Sequence, residues 1–225
     1  MITFKEYLAE TPLPDDWDKT QFTTKVSYAK QIKYAVERAQ KIGKGSSRTA
    51  FVIPYKGRDT ILKVAHNAKG RAQNEAESEI LSDNYAKTLG ICIPIIDYDE
   101  TSDQPTWIHT EKADKISEAQ LCKLLRTPSL KVLVGVANNR IDGKFKSATE
   151  LFIKQMKEYN KNNETDIEIF YNYIDKLVDL SKSFDIQLVD FETKNNWGIY
   201  KGKPVVIDVG FNSVTSTLYQ QQKLF

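Results

Sequence analysis

The sequence predicts an α+β fold, on three observations. Residues 41–110 alternate between short apolar strand patterns and one helical pattern, in the order strand, strand, helix, strand, strand. The second half is mostly helical in its periodicity. It then closes on a short hairpin whose turn is Lys201-Gly202.

Composition sets the frame. The 225 residues are 40% hydrophobic and 28% charged, enough for one substantial core or two small lobes. Lys and Arg number 32 against 30 Asp and Glu, a net charge of +2. That balance argues against a nucleic-acid coat or a polybasic membrane adhesive, so neither partner is expected. Cys92 and Cys122 are too few for a disulfide scaffold, and with only two histidines a structural zinc site is not expected. The best apolar run, Val132–Val136, falls far short of the ~20 residues a membrane span needs. The start carries no apolar run of signal-peptide length, and a cytoplasmic protein is expected.

Residues 1–40 read as a helical appendage. Phe4, Tyr7 and Leu8 stand at helical spacing before Thr11–Asp16 interrupts the pattern. A second helix from about Ser27 places Tyr28, Ile32, Ala35, Val36 and Ala39 on one packing face. Gly43 and Gly45 mark a tight bend, followed by strands at Thr49–Ile53 and Asp59–Ala65 with Pro54–Arg58 as their turn. Residues 70–89 are predicted helical through Ala72, Ala76, Ile80, Leu81 and Tyr85. Ile91–Tyr98 and Thr106–Thr110 then form an antiparallel pair.

Further on, residues 117–126 read as helix. The polar stretch 137–165 reads as a loop-rich insertion around a helix at 147–159. A strong helix covers 166–183, with Ile167, Phe170, Tyr171, Ile174, Leu177, Val178 and Ser181 on its buried side. No internal repeat or low-complexity run is present.

The most specific chemistry lies downstream. Asp190 is followed five positions later by Asn195 and eighteen positions later by Asp208, in Ile207-Asp-Val-Gly210. If Lys201-Gly202 is a two-residue turn, Tyr200 faces Lys203 and the register sets Asn195 opposite Asp208. A carboxylate and an amide oxygen then converge beside a loop with a second carboxylate. Hard oxygen donors of this kind suit Mg²⁺ shared with phosphate.

Asp190, Asn195 and Asp208-Val-Gly210 resemble the catalytic loop and metal-binding motif of the protein-kinase-like superfamily in order and spacing. The resemblance covers residues 41–212 and implies a minimal two-lobed fold. Its N-lobe, residues 41–110, is an antiparallel sheet plus a helix, and its C-lobe, residues 111–225, is shortened and mainly helical. It also implies ATP and Mg²⁺ as cofactors.

Upstream features extend the resemblance. Lys41–Arg48 resembles a glycine-rich loop in which Gly43 and Gly45 cover nucleotide phosphates, with Arg48 where a third glycine is usual. Alternation puts Ile61, Lys63 and Ala65 on one strand face. In kinases a lysine here grips the phosphates while apolar neighbours meet adenine, roles that fall to Lys63, Ile61 and Ala50. An interior lysine needs a partner. Glu77 borders the buried stripe of the next helix and is the chosen partner, with Glu75 in reserve; Glu75, Glu79 and Asp83 form the solvated row. Trp107–Ala113 resembles the hinge, so that backbone groups of Glu111 and Ala113 would meet adenine and Thr110 would guard the back pocket. His109 reads as a packed strand residue.

The sequence also departs from the family. Leu188-Val189 stand where His-Arg usually precedes the catalytic aspartate, and Glu192 stands where a basic residue is frequent, with Lys194 nearby. Fifteen residues follow Gly210, so no activation segment is expected. Asn195-Asn196 leaves the metal ligand open, since an Asn-x-Gly reading selects Asn196.

The chain most resembles small kinases encoded by tailed bacteriophages, and Met1–Glu10 resembles a capsid-targeting leader. The expected activity is ATP-dependent phosphoryl transfer to a protein Ser/Thr hydroxyl, with Asp190, Lys63 and Glu77 in catalysis and Asp208 with Asn195 or Asn196 on the metal. A host or virion protein is the expected partner. The alternatives are a pseudokinase that binds nucleotide or protein, and a small-molecule phosphotransferase.

Overall fold

The computed structural model describes residues 13, 14, 16–143, 147–210, 212, 215 and 217. The leader expected at residues 1–10 lies outside the described residues. The fold is α+β, with a five-stranded antiparallel sheet, a two-stranded sheet and seven α-helices among the described residues. The chain divides into two compact units, one of Met1–Leu81 with Pro94–Lys112 and one of Ser82–Ile93 with Ala113–Phe225. None of the helices is long and apolar enough to cross a membrane, among the described residues.

The first unit holds α1 (Tyr28–Val36), β1 (Gln40–Lys44), β2 (Arg48–Tyr55), β3 (Arg58–Ala65), α2 (Ala68–Ser82), β4 (Ile95–Tyr98) and β5 (Trp107–Glu111). Its strands run in the order β1-β2-β3-β5-β4, all antiparallel. Lys56 and Gly57 both take positive φ, which gives the β2–β3 hairpin its tight turn.

Period-two alternation sorts the two faces of this sheet. Thr49, Phe51 and Ile53 on β2, with Thr60, Leu62 and Val64 on β3, point into the core. Leu13, Trp17, Phe22, Ala35 and Trp107 complete that core. Trp17 stacks on Phe22 at 5.7 Å, and Tyr34 meets both rings edge-on. The segment between Leu13 and α1 therefore closes one face of the sheet. Burying side chains of this size contributes about 1.5–3 kcal/mol each. On the opposite face Ala50, Val52, Ile61 and Lys63 stay half-buried.

The second unit holds α3 (Asn84–Leu89), α4 (Glu118–Leu124), α5 (Leu130–Ile141), α6 (Ser147–Tyr159), α7 (Glu164–Phe184), β6 (Trp197–Tyr200) and β7 (Lys203–Val206). Side-chain caps start four of its helices. Asp83 accepts from the N–H groups of Tyr85 and Ala86, Ser117 and Gln120 form a capping box, and Ser129 and Asn163 cap α5 and α7. Gly135 on α5 has no room for a Cβ, which would lie 2.6 Å from the Phe152 ring of α6.

Several elements differ from the sequence expectation. The helix expected over 70–89 is two helices, because Asp83 adopts an extended conformation and caps a second one. The strand expected from Ile91 starts at Ile95, since Ile91–Ile93 instead bond to Val206. The loop-rich stretch from 137 begins as helix, because α5 continues to Ile141 and takes in the apolar run Val132–Val136. Gly43 sits within β1, at a bulge, so the bend is confined to residues after Lys44.

Candidate active site

The first unit carries a buried ion cluster. β2 pairs with β3 so that Ala50 faces Lys63 and Arg48 faces Ala65, which places Arg48 and Lys63 on the same side of the sheet. Asn67 caps the next helix, accepting from the Gly70 N–H at 2.9 Å, and α2 brings Glu77 to that side. Lys63 Nζ lies 2.5 Å from Glu77 Oε1, and Arg48 NH1 lies 2.5 Å from Glu77 Oε2. Glu77 is fully buried, whereas Glu75 is half-buried and Glu79 exposed. A buried carboxylate is costly unless it is paired, and Glu77 has a cation on each oxygen.

The turn between β1 and β2 is held tightly. Gly45 N–H donates to Arg48 O at 2.9 Å, so that amide is engaged within the turn. His66 N–H donates to Ser47 O at 2.9 Å, and Asn67 Nδ2 donates to Ser46 O at 3.0 Å. Gly70 permits this closeness, since a Cβ there would stand 2.2 Å from Ser47 O. Gly43 lies on the exposed edge strand. Ile61 pairs with Val52 on one side and Thr110 on the other, and Thr110 is buried. Glu111 N–H donates to Pro94 O at 2.9 Å, and its carboxylate takes two bonds from Arg58. His109 is buried, 2.7 Å from the Thr60 hydroxyl.

The second unit carries the carboxylate cluster. Lys201 and Gly202 both take positive φ, and Tyr200 pairs with Lys203 as the two-residue turn requires. The pairing runs without a bulge to Trp197 with Val206, and Ile207 N–H donates to Asn196 O at 2.8 Å. Ala113 and Asp114 flank β6: the Asp114 and Ile199 backbones exchange bonds, and a Cβ on Gly198 would lie 2.6 Å from Ala113 Cβ. Ile91 and Ile93 flank β7 through Val206.

Asp190 sits in a 3₁₀ turn, Leu188–Glu192, anchored by buried Leu188 and Phe191. Trp197 locks the loop onto the hairpin by donating its indole N–H to Phe191 O at 2.9 Å. Asn196 donates its side-chain amide to Asp190 O at 2.8 Å. Asn195 is exposed in the following turn, Lys194–Asn196. Asp208 is half-buried, and its Oδ1 accepts from the Gly210 N–H. Burial pushes the Asp190 carboxyl above the usual aspartate range, and the negative charge of Asp208 raises it further.

The Asp208 carboxylate and the Asn196 amide oxygen are hard donors of the kind that could hold a divalent cation, and Asp190 brings a second carboxylate to the same unit. Among the described residues no group of three or more His, Cys, Asp or Glu could hold a metal by itself. A Mg²⁺ ion shared with phosphates does not need one, because it keeps waters and takes one or two protein oxygens.

No protein-family model and no curated protein matches the chain. Solved structures are similar to it only in part. One is aminoglycoside phosphotransferase APH(4)-Ia, 14% identical over 80% of this chain and 70% of that one, at a TM-score of 0.35. A thermostable mutant of that enzyme, in a ternary complex with AMP-PNP and hygromycin B, is 14% identical over 79% of this chain and 70% of its own, at 0.36. A second thermostable mutant in the same kind of complex is 19% identical over 47% of this chain, which spans 38% of it, at 0.29. Likenesses this slight do not bear on what the chain does. The residues themselves must carry that.

Arg48 is the residue that sequence reading undervalues. It reads as a flaw in a glycine-rich loop, yet strand alternation already sets it on the face of Ala50 and Lys63.

Proposed function

We propose that the chain transfers the γ-phosphoryl group of ATP to a Ser/Thr hydroxyl of a protein. The observation that carries this reading is the loop and hairpin of the second unit, where Asn196 is fixed on the Asp190 carbonyl and the Asp190 carboxyl is raised by burial and then by Asp208. A bound divalent cation would relieve the repulsion between the two carboxylates.

Asp208 and Asn196 would hold Mg²⁺. Asn196 is preferred to Asn195 because its nitrogen is committed to Asp190 O, which fixes the amide plane and leaves its oxygen as the ligand. When bound, the ion neutralises charge on the phosphates. Lys63, held by Glu77, donates to phosphate oxygens. Ile61 and Ala50 offer an apolar surface to the base, and backbone groups of Glu111 and Ala113 offer it polarity.

Asp190 orients the acceptor hydroxyl. As the hydroxyl oxygen forms its bond to the γ-phosphorus, the bond to the ADP oxygen breaks and the hydroxyl proton passes to the Asp190 carboxylate. Most of the rate gain comes from positioning and charge stabilisation. The likeness to small phage kinases makes a host or virion protein the proposed partner.

Calorimetry with ATP and Mg²⁺ tests the nucleotide part. Wild type is expected to bind, and Lys63→Ala and Asp208→Ala each to weaken binding. Heats equal to buffer dilution for wild type would exclude it.

A further inference from the structure

We infer that Arg48 is a positioning residue for phosphate binding: by holding one oxygen of Glu77, it keeps Glu77 able to hold Lys63 when Lys63 engages phosphate. This rests on the nucleotide reading above and adds to it a residue that a glycine-rich loop would not supply.

Arg48 opens β2 and is 7% exposed. Its NH1 is 2.5 Å from Glu77 Oε2 and 3.3 Å from Asn74 Oδ1. Asn74 is itself buried and fixed, donating to Pro105 O at 3.1 Å. Each oxygen of Glu77 thus has its own cation, Arg48 on Oε2 and Lys63 on Oε1.

The consequence follows from the cost of buried charge. A carboxylate with no exposure and a single cation would be left bare whenever that cation turned toward another anion. Lys63 has three donors on a flexible stem, so it can bond Glu77 and phosphate together, but it then shares its charge between them. Arg48 keeps Glu77 neutralised through that change. Through the same NH1 it also ties Glu77 to the buried Asn74, which restrains the carboxylate whose Oε1 bonds Lys63. The device is specific to phosphate, because adenine recognition does not pass through Lys63.

Titration calorimetry of wild type, Arg48→Gln and Arg48→Lys with ATP–Mg²⁺ and with adenosine tests this. Arg48→Gln is expected to weaken ATP about tenfold and to leave adenosine unchanged. Arg48→Lys, which retains the charge without the planar head, is expected to fall between wild type and Arg48→Gln for ATP and to match wild type for adenosine. In a Lys63→Ala background, Arg48→Gln is expected to add nothing, since the two act as one unit.

Unchanged ATP affinity in Arg48→Gln would overturn the role of Arg48 alone. So would an equal loss for ATP and adenosine, the sign of a purely structural residue. If Arg48→Gln gives no cooperative thermal transition, Arg48→Lys decides: equal weakening of both ligands, or none, overturns the proposal. Failure of wild type to bind either ligand would remove the nucleotide reading itself, and this inference with it.

Discussion

Asn196 and Asp190 are joined by a 2.8 Å hydrogen bond from side-chain amide to backbone carbonyl, which ties the loop of one carboxylate to the hairpin that leads to the other. The bond uses the amide nitrogen and leaves the oxygen for the proposed Mg²⁺, whereas neighbouring Asn195 is exposed. Asn196→Ala is expected to lower Mg²⁺-stimulated phosphoryl transfer about 10- to 100-fold. Asn195→Ala is expected to stay near wild type. A Mg²⁺ titration of initial rates for both variants checks this, and a larger loss in Asn195→Ala would reverse the assignment.

Glu77 is more exacting for stability than either of its cations. Removing a fully buried carboxylate leaves Lys63 and Arg48 facing each other with little exposure. Glu77→Ala is expected to cost about 3–5 kcal/mol. Glu79→Ala, on the exposed side of the same helix, is expected to change stability by less than about 0.5 kcal/mol. Urea melts of the two variants give the comparison.

Asp190 makes stability depend on pH in a defined direction. Its folded-state pKa is raised by burial and by Asp208, so between the ordinary aspartate range and that raised pKa the folded protein binds a proton that the unfolded chain has released. In the metal-free protein this contribution destabilises the fold at neutral pH. The penalty shrinks as pH falls through the raised pKa and is gone below the ordinary aspartate range. Asp190→Asn should therefore melt above wild type at pH 7, and the gain should vanish in acid. A gain that grows in acid would contradict the shift. Asp208→Asn should lower the Asp190 pKa, read by carboxyl NMR titration, while burial keeps it above normal.

Gly70 records how closely the β1–β2 turn meets α2. A Cβ there would stand 2.2 Å from the Ser47 carbonyl oxygen, a backbone atom held in turn by His66. Gly70→Ala is expected to destabilise by about 1–3 kcal/mol despite the better helix propensity of alanine. Thermal melts beside Gly43→Ala, where a Cβ meets nothing within 4 Å, separate the clash from loss of glycine as such.

Local pattern makes much of this legible without coordinates. The Lys201-Gly202 turn alone sets the Tyr200–Lys203 register, because a two-residue turn leaves no freedom in pairing. Alternation in β3 singles out Lys63, and the apolar stripe of α2 favours Glu77 over Glu75 as its partner, which is the residue found at Lys63. The limits are equally physical. Val132–Val136 is too short a run for periodicity to tell helix from strand, and only packing in α5 decides it. Asp83 reads as one more residue on a helix face, whereas its side chain accepts from the Tyr85 and Ala86 N–H groups and starts a new helix. Trp197 gives no sign in the sequence that its indole pins Phe191, because that bond depends on the loop between them closing.

Transfer of labelled γ-phosphate is the most direct test of the central claim. Wild type, incubated with ATP and Mg²⁺ and a mixture of protein acceptors, is expected to label Ser or Thr, and Asp208→Ala to abolish the label. Equal background in the two would contradict the account.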